Sequence, residues 1–281
     1  MIDTAYVKNH ILQALQEDIG SGDYSSLCCI GEKETNKARL VAKQEGIICG
    51  IEVAKMVFEA VDSSLVFTAF KTDGDRIAKG DIVFTIGGKA RSILSAERTA
   101  LNYIQRLSGI ATQTAEYVAL IEGTKARLLD TRKTTPTLRL LEKYAVKTGG
   151  GCNHRIGLYD MIMLKDNHVD FAGGIEQAIT MAYDFVTTKQ PLKIEIEVRN
   201  LSELDKVLAI GKIDRIMLDN FSVEDLCEAV KIINHRYETE ASGGINKQTI
   251  RAFAETGVDF ISVGALTHQI HSLDLSLVAD R

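Results

Sequence analysis

The sequence predicts an α/β fold in two parts, with a change of rhythm near residue 120. The first part mixes helical spacing with strand-like runs. The second part alternates short apolar runs with amphipathic segments. Buried parallel strands that alternate with helices form an α/β sheet or an α/β barrel. We count six or seven strands in the second part, which is fewer than a complete eight-stranded barrel needs.

The elements of the first part follow from local spacing and turn residues. Apolar residues at helical intervals predict the first helix, and alternation bounded by turn residues predicts the strands. Ser95 is a suitable N-cap for the long helix that closes this part. In order, we expect a helix at 6–15, a strand at 38–42, a helix at 50–61, a strand at 64–70, a hairpin-like stretch at 74–84 with Gly80-Asp81 in its turn, and a helix at 95–121.

The second part contains five short apolar runs that are typical of buried strands. They are residues 126–129, 161–164, 194–198, 215–218 and 260–263. The amphipathic segments between and after them predict helices at 138–146, 175–185, 201–210, 223–233 and 247–256. Pro occurs only at positions 136 and 191, and no Pro- or Ser-rich linker separates the two parts. We therefore expect the parts to pack tightly.

Composition narrows the possible functions. The 281 residues are 45% hydrophobic and 25% charged, which is ordinary for a globular protein. The N-terminus has no signal-peptide pattern, and no stretch is apolar enough to span a membrane. The five cysteines lack metal-ligand spacing, so we expect reduced thiols in a cytoplasmic protein.

Charge is unevenly distributed along the chain. The whole chain carries a net charge of −5, which argues against non-specific binding of nucleic acid. Residues 125–168 nevertheless contain nine Lys or Arg and only four acidic residues. A basic segment in an acidic protein favours an anionic ligand, although a run of solvated surface charge would give the same pattern.

Polar and glycine residues follow the predicted strands, where barrel enzymes hold their active sites. They are Arg132, Lys133, Lys165, Glu197, Asp219, Ser242-Gly243-Gly244 and Val263-Gly264-Ala265. An Arg can bind a carboxylate in a fork, and a Lys can meet a phosphate as a point charge. The two carboxylates can hold Mg²⁺ or ribose hydroxyls. The two glycine turns offer backbone N–H groups to a phosphate.

His154 and Arg155 follow three consecutive glycines. These glycines let the backbone approach a ligand closely, and a His beside an Arg can bind an aromatic acid. A flexible connection with a solvated His is the alternative. Two other functions fit part of the pattern: a barrel aldolase with Lys165 as its Schiff-base lysine, and a non-catalytic sensor of a phosphorylated metabolite.

Long motifs across nearly the whole chain resemble the quinolinate phosphoribosyltransferase family. They include 130–136 (DTRKTTP), 142–146 (EKYAV), 149–155 (GGGCNHR), 164–168 (LKDNH), 195–198 (EIEV), 218–221 (LDNF), 240–245 (EASGGI) and 263–268 (VGALTH). Further matches are 17–23 (EDIGSGD), 97–102 (ERTALN) and 107–112 (LSGIAT). The resemblance implies phosphoribosyl transfer from phosphoribosyl pyrophosphate to quinolinate with decarboxylation, in NAD biosynthesis and with Mg²⁺.

The resemblance also implies a fold, an assembly and individual roles. The fold would be an N-terminal α/β sandwich (1–115, joined by a tail at about 268–281) and an open, incomplete barrel of about seven strands (116–267). The assembly would be a homodimer or higher oligomer with shared active sites. Arg98 of the partner subunit, with Arg132, His154, Arg155 and Lys165, would hold quinolinate.

Lys133, Lys165, Glu197 and Asp219 would be catalytic, and either lysine could protonate the ring carbanion. Lys133, Glu197 and Asp219 would also bind the phosphoribosyl group, with the two glycine turns taking its 5′-phosphate. Glu197 and Asp219 would face Mg²⁺, held largely through the substrate. The chain departs from the family pattern at Thr137, where Gly is usual, and at Tyr24, where smaller residues also occur.

Overall fold

The computed structural model describes residues 4–280, which form two compact units. The first unit contains residues 4–115, 135–150 and 269–280, and the second contains 116–134 and 151–268. Residues 135–150 thus pack with the first unit, whereas the sequence analysis assigned them to the barrel. The expected domain limits differ from this division at that segment and stay a prediction.

The first unit is a mixed α/β layer. Its elements are α1 (Thr4–Ile19), α2 (Tyr24–Cys29), β1 (Thr35–Ala42), β2 (Gly46–Ile47), α3 (Ile51–Val61), β3 (Val66–Ala69), β4 (Arg76–Ile77), β5 (Ile82–Lys89), most of α4 (Ala90–Leu120), α5 (Arg139–Thr148) and β12 (Leu275–Ala279). The main sheet is antiparallel in the order β12-β1-β5-β3. Phe58 of α3 packs on Phe67 and Phe84 of this sheet, so α3 covers one of its faces.

Two expectations for the first unit are wrong. Residues 74–84 do not form a hairpin, because β4 pairs with β2 whereas β5 pairs with β1 and β3. Ser95 does not cap α4, because β5 leads directly into a helix that begins at Ala90. Ser95 instead donates a hydrogen bond to Asp23 over 3.1 Å.

The second unit alternates strands and helices throughout. Its elements are β6 (Arg127–Leu129), β7 (Ile162–Leu164), α6 (Asp166–Ala172), α7 (Ile175–Thr188), β8 (Ile194–Val198), α8 (Leu201–Ile210), β9 (Arg215–Asp219), α9 (Val223–Ile233), β10 (Glu238–Ser242), α10 (Ile250–Glu255), β11 (Phe260–Ser262) and α11 (Ala265–His268). All strand pairs in this unit are parallel, in the order β6-β11-β10-β9-β8-β7.

This parallel sheet has six regular strands rather than about seven, and β6 and β7 lie at its two ends. A seventh segment is reduced to a single parallel bridge between Cys152 and Leu129 of β6. The predicted α/β class and the open, incomplete arrangement are confirmed. The glycines at 149–151 leave little room for a longer strand before Cys152.

Candidate functional site

The carboxyl ends of the parallel strands define one edge of the second unit, which we call the rim. Lys165 follows β7, Asp219 and Ser242 end β9 and β10, and Val263 follows β11. Glu197 is the next-to-last residue of β8. Because parallel strands end on the same side, the fold brings these sequence-predicted residues to one edge.

Strand register places charged residues in layers on one face of the sheet, which we call the inner face. Glu195 lies opposite Arg215, which lies opposite Glu238. One step closer to the rim, Glu197 and Glu240 both lie opposite Met217. Because side chains two apart share a face, Glu195 lies directly below Glu197 on the inner face.

Lys165 and Glu197 form an ion pair at the rim. Lys165 Nζ donates to Glu197 Oε2 over 2.8 Å, and the Lys165 side chain is half exposed whereas that of Glu197 is mostly buried. The ammonium is therefore accessible to a substrate while the carboxylate holds it in place. This juxtaposes two residues that the sequence analysis named as catalytic.

The turn after β10 is shaped by glycine. Gly243 has φ +99°, and a Cβ at this position would lie 2.2 Å from Asn220 Oδ1. Asn220 is itself fixed, because its backbone N–H donates to Ser242 O and its amide donates to Asp219 Oδ2 over 2.6 Å. The turn that we expect to hold a phosphate is therefore packed against the residue that follows Asp219.

The turn after β11 contacts the segment that carries Arg132 and Lys133. Thr267 Oγ1 donates to the carbonyl of Lys133 over 2.7 Å. A Cβ on Gly264 would lie 3.0 Å from Lys133 Cδ, so Gly264 leaves room for the lysine stem. Lys133 itself is exposed.

The positive charges of Arg132 and Arg155 act on each other. Burial and then the charge of Arg132 lower the pKa of Arg155. Nε of Arg132 is buried without a hydrogen-bond partner among the described residues. Arg155 Nη1 donates to the carbonyl of Met161 over 3.2 Å. A pair of adjacent cations with an unused donor is chemically suited to an anion.

The residues before Arg155 are fixed to the end of β6. The buried carboxylate of Asp130 accepts the backbone N–H of His154 over 2.8 Å. The backbone N–H of Arg155 in turn donates to His154 Nδ1 over 2.7 Å. His154 is 8% exposed, so it is a buried support rather than the solvated residue of a flexible connection.

His154 also faces two buried carboxylates on its other side. Its Nε2 lies 2.9 Å from Glu195 Oε2 and 3.4 Å from Glu240 Oε2. Arg215 Nη1 reaches the same Glu240 oxygen over 3.1 Å. We call His154, Glu195, Glu240 and Arg215 the buried network. It lies on the inner face below the rim, and both of its carboxylates are fully buried.

The pKa values in the buried network depend on each other. Burial lowers the pKa of His154, but the two carboxylates outweigh burial and raise it. Burial and the charge of Glu240 raise the pKa of Glu195. A second proton on His154 would sit on Nδ1, pointing at the Arg155 N–H only 2.7 Å away. We therefore assign the ring proton of His154 to Nε2 and any additional proton to the carboxylate of Glu195.

The sequence does not predict this network. It favours Glu197 over Glu195 because Glu197 is nearer the rim, and it indicates no role for Arg215 or Glu240. The alternation of Glu195 with Glu197, and of Glu238 with Glu240, was the available signal, since it predicts acidic residues on the inner face.

Two protein-family models match the sequence of this chain. The model for the C-terminal domain of quinolinate phosphoribosyl transferase matches residues 110–278, and the N-terminal domain model matches residues 23–108. The chain belongs to the quinolinate phosphoribosyl transferase family. The C-terminal model contains every rim residue described above.

Similar proteins agree with this membership of the quinolinate phosphoribosyl transferase family. The chain is 44% identical over 261 residues to a probable nicotinate-nucleotide pyrophosphorylase [carboxylating] of Bacillus subtilis, covering 93% of this chain and 89% of that protein. It is similar to the structure of the nicotinate-nucleotide pyrophosphorylase from Francisella tularensis, with a TM-score of 0.94, 43% identity and coverage of 100% and 98%. NadC from Streptococcus pyogenes gives a TM-score of 0.92 at 42% identity, covering 96% and 95%.

Two sequence-predicted features of this family member belong to the first unit. Arg98 is exposed on α4, and its expected role in a partner's site stays a prediction. Gly149 is required for packing, because a Cβ there would lie 2.3 Å from Ala111 O, whereas the sequence analysis interpreted it as approaching a ligand.

No helix among residues 4–280 is both long enough and apolar enough to cross a bilayer.

Proposed function

We propose that this protein transfers the phosphoribosyl group of phosphoribosyl pyrophosphate to the ring nitrogen of quinolinate. The products are nicotinate mononucleotide, pyrophosphate and carbon dioxide, in NAD biosynthesis. The family models over residues 23–108 and 110–278 support this, as do the names of the similar proteins. The observation that carries the proposal is the meeting of Lys165, Glu197 and Asp219 at one rim, with Lys165 Nζ 2.8 Å from Glu197 Oε2.

Neutralising two anions is the first task of such a site. At about 4 Å and an effective dielectric constant of about 20, one pair of like charges costs roughly 4 kcal/mol. Quinolinate is a dianion and the donor carries several negative charges. Arg132, Arg155 and Lys165 would bind the pyridine carboxylates, and Lys133 would bind the donor. The unused Nε of Arg132 supplies a donor for this purpose.

The transfer step needs a carboxylate near the sugar and an acid near the ring. Departure of pyrophosphate leaves positive charge on the sugar, which Glu197 or Asp219 would stabilise while the ring nitrogen attacks C1. The quaternised ring then accepts the electron pair that the 2-carboxylate leaves behind when it departs as carbon dioxide. Lys165 or Lys133 would protonate that ring carbon. The half-exposed ammonium of Lys165 supports such a role.

The 5′-phosphate of the donor would lie on the turns 242–244 and 263–265. Gly243 and Gly244 have φ values of +99° and +62°, a geometry that side chains rarely tolerate, and turns of glycine can present backbone N–H groups to an anion. Gly264 keeps the adjacent space open for Lys133. Ser242 and Ala265 lie at the same rim as Lys165.

Mg²⁺ is proposed as the cofactor, held by Glu197 and Asp219 together with the substrate. Among the described residues, neither carboxylate belongs to a group of three metal-binding side chains. Mg²⁺ fits such a site, because it commonly uses one or two protein carboxylates plus substrate phosphates. When bound, it would neutralise charge on the pyrophosphate leaving group.

A homodimer or higher oligomer with shared sites is proposed from the family resemblance, with Arg98 entering the partner's site. The exposure of Arg98 supports this. Mixing inactive Arg98→Ala with inactive Lys165→Ala should restore activity, because some mixed sites would then contain both residues. No recovery after subunit exchange would contradict shared sites.

A cytoplasmic location is proposed as well, and the five free cysteines support it.

The deciding experiment follows quinolinate by its ultraviolet absorbance, with and without phosphoribosyl pyrophosphate and Mg²⁺. We expect loss of quinolinate and release of pyrophosphate only when both substrates are present. Binding without pyrophosphate release would indicate a sensor. Trapping of a carbonyl substrate on Lys165 by borohydride would indicate an aldolase.

A further inference from the structure

The buried network contains an unusual arrangement around one histidine. Glu195 and Glu240 are both 0% exposed, and His154 Nε2 lies within 3.4 Å of both. On the opposite side of the ring, Nδ1 accepts the backbone N–H of Arg155. Each nitrogen of this imidazole therefore has a protein partner, and the partners demand opposite protonation: a proton on Nε2 and a lone pair on Nδ1.

The two carboxylates do not contribute equally to this choice. Glu240 already receives a hydrogen bond from Arg215 over 3.1 Å. Both oxygens of Glu195 are buried without a hydrogen-bond partner among the described residues. Glu195 is also the nearer of the two, at 2.9 Å from Nε2. The carboxylate of Glu195 is therefore the group that most directly selects the protonated nitrogen of His154.

We propose that Glu195 is a positioning residue of the active site, which selects the Nε2–H tautomer of His154 so that Nδ1 fixes the main chain of Arg155. This inference rests on the proposed function, in which Arg155 binds a quinolinate carboxylate. It changes the role of His154, because a ring with both nitrogens engaged inside the protein supports the neighbouring arginine rather than presenting a nitrogen to the substrate.

Loss of this selection would disturb Arg155 specifically. With the proton on Nδ1, the ring would direct an N–H at the N–H of Arg155, and a buried donor would lose its acceptor. The main chain at Arg155 would then move away from the ring, and its guanidinium would move with it. A displacement of about 1 Å in a substrate-binding group can lower activity by as much as about 100-fold.

A metal ion is the competing explanation for the same three side chains. His154, Glu195 and Glu240 offer one nitrogen and two carboxylates that lie within 4.8 Å of one another. However, Arg215 already places a positive charge on the Glu240 oxygen that faces the histidine. This favours a proton over a metal cation between the ring and the carboxylates.

The test replaces Glu195 in the full-length protein with Met and, separately, with Gln. Met removes the acceptor at similar length, whereas Gln keeps an oxygen that can accept from Nε2–H. We expect Glu195→Met to raise KM for quinolinate about 10-fold or more with little change in KM for phosphoribosyl pyrophosphate. Glu195→Gln should leave KM for quinolinate close to that of the unsubstituted protein. Glu238→Gln is the matched control, because Glu238 also contacts Arg215 but its side chain is 39% exposed.

Nitrogen NMR of the ¹⁵N-histidine-labelled protein supplies a readout that a purely structural role would not change. The His154 signals, assigned by their loss in His154→Asn, should show a protonated Nε2 and an unprotonated Nδ1 in the unsubstituted protein. Glu195→Met should shift this population toward Nδ1–H, and Glu195→Gln should not.

Three results would overturn the proposal. One is an unchanged tautomer in Glu195→Met, and another is a rise in KM that is equal for both substrates. The third is one equivalent of tightly bound metal that disappears in Glu195→Met, since a metal-bound Nε2 carries no proton. Absence of turnover by the unsubstituted protein would instead reject the proposed function, and the NMR result would still decide the tautomer.

Discussion

Replacing Gly243 by Ala tests whether the turn after β10 holds the donor's 5′-phosphate. The added Cβ would lie 2.2 Å from Asn220 Oδ1 and 2.9 Å from Asn220 N, at a backbone φ of +99°. Overpacking of this kind costs about 1–3 kcal/mol, and a left-handed conformation adds about 1–2 kcal/mol for a residue with a side chain. Because Asn220 is bonded to Asp219 and Ser242, the turn itself must move.

Gly244→Ala is the matched control, because φ is +62° there but nothing lies within 4 Å of the added Cβ. It should carry only the conformational cost, so the free energies of unfolding of the two variants should differ by about 1–3 kcal/mol. Steady-state kinetics should show a larger rise in KM for phosphoribosyl pyrophosphate in Gly243→Ala than in Gly244→Ala, with KM for quinolinate nearly constant. Equal effects of the two substitutions would refute the role of Asn220 packing in shaping the phosphate turn.

Three further predictions concern other parts of the molecule. Arg132→Ala should raise KM for quinolinate by about 10-fold or more, because a charge-assisted hydrogen bond contributes about 1.5–3 kcal/mol; near-normal kinetics would reject its assigned role. Gly109→Ala should lower Tm by at least ~5 °C in calorimetry, because its Cβ would lie 2.2 Å from His271 O, whereas Gly31→Ala meets nothing within 4 Å and should not. Burial opposes ionisation of Asp259, but hydrogen bonds from Thr239 and then Lys125 outweigh it and lower its pKa. The stabilisation that ionised Asp259 provides is present above the unfolded-state pKa of about 3.9 and is lost as pH falls through the lower folded pKa. Asp259→Asn should therefore make the free energy of unfolding depend less steeply on pH below about pH 4. An unchanged acid unfolding transition would contradict this.

Elements with local signals at both ends were predicted from the sequence to the residue. The helix at 201–210 begins after Asn200, whose side chain accepts from Glu203 N, and the helix at 223–233 begins after Ser222, which accepts from Asp225 N. These caps lie within four residues of what they stabilise. The expected hairpin at 74–84 fails for the opposite reason. Residues 78–81 do form a turn, in which Asp81 N donates to Ala78 O, but the strand partners of β4 and β5 lie far away in sequence.

The rim residues of the site could be predicted from the sequence, but the buried network could not. Parallel strands must end together, so the sequence alone places Lys165, Glu197 and Asp219 at one rim. The approach of His154 to Glu195 and Glu240 depends on how residues 151–155 pack against strands that follow them by tens of residues. Thr137 is a similar case: the sequence identifies a departure from the usual Gly, but only the structure shows that it adopts φ +67° and that Tyr6 donates to its carbonyl.

The distribution of charge pairing explains how one inner face can hold both a stable core and a reactive site. Below the rim, Arg215 forms ion pairs with Glu238 and Glu240, and His154 lies between two carboxylates. The buried charges therefore compensate each other in the free protein. Near the rim, burial and the charge of Arg132 lower the pKa of Arg155 although Glu195 and Asp160 act in the opposite direction, and Nε of Arg132 is buried without a hydrogen-bond partner among the described residues. A buried donor without a partner is costly, and an anionic substrate that accepts from Arg132 would remove that cost. Substitutions below the rim should therefore alter the free protein as well as its complexes, whereas substitution of Arg132 should act mainly on substrate affinity.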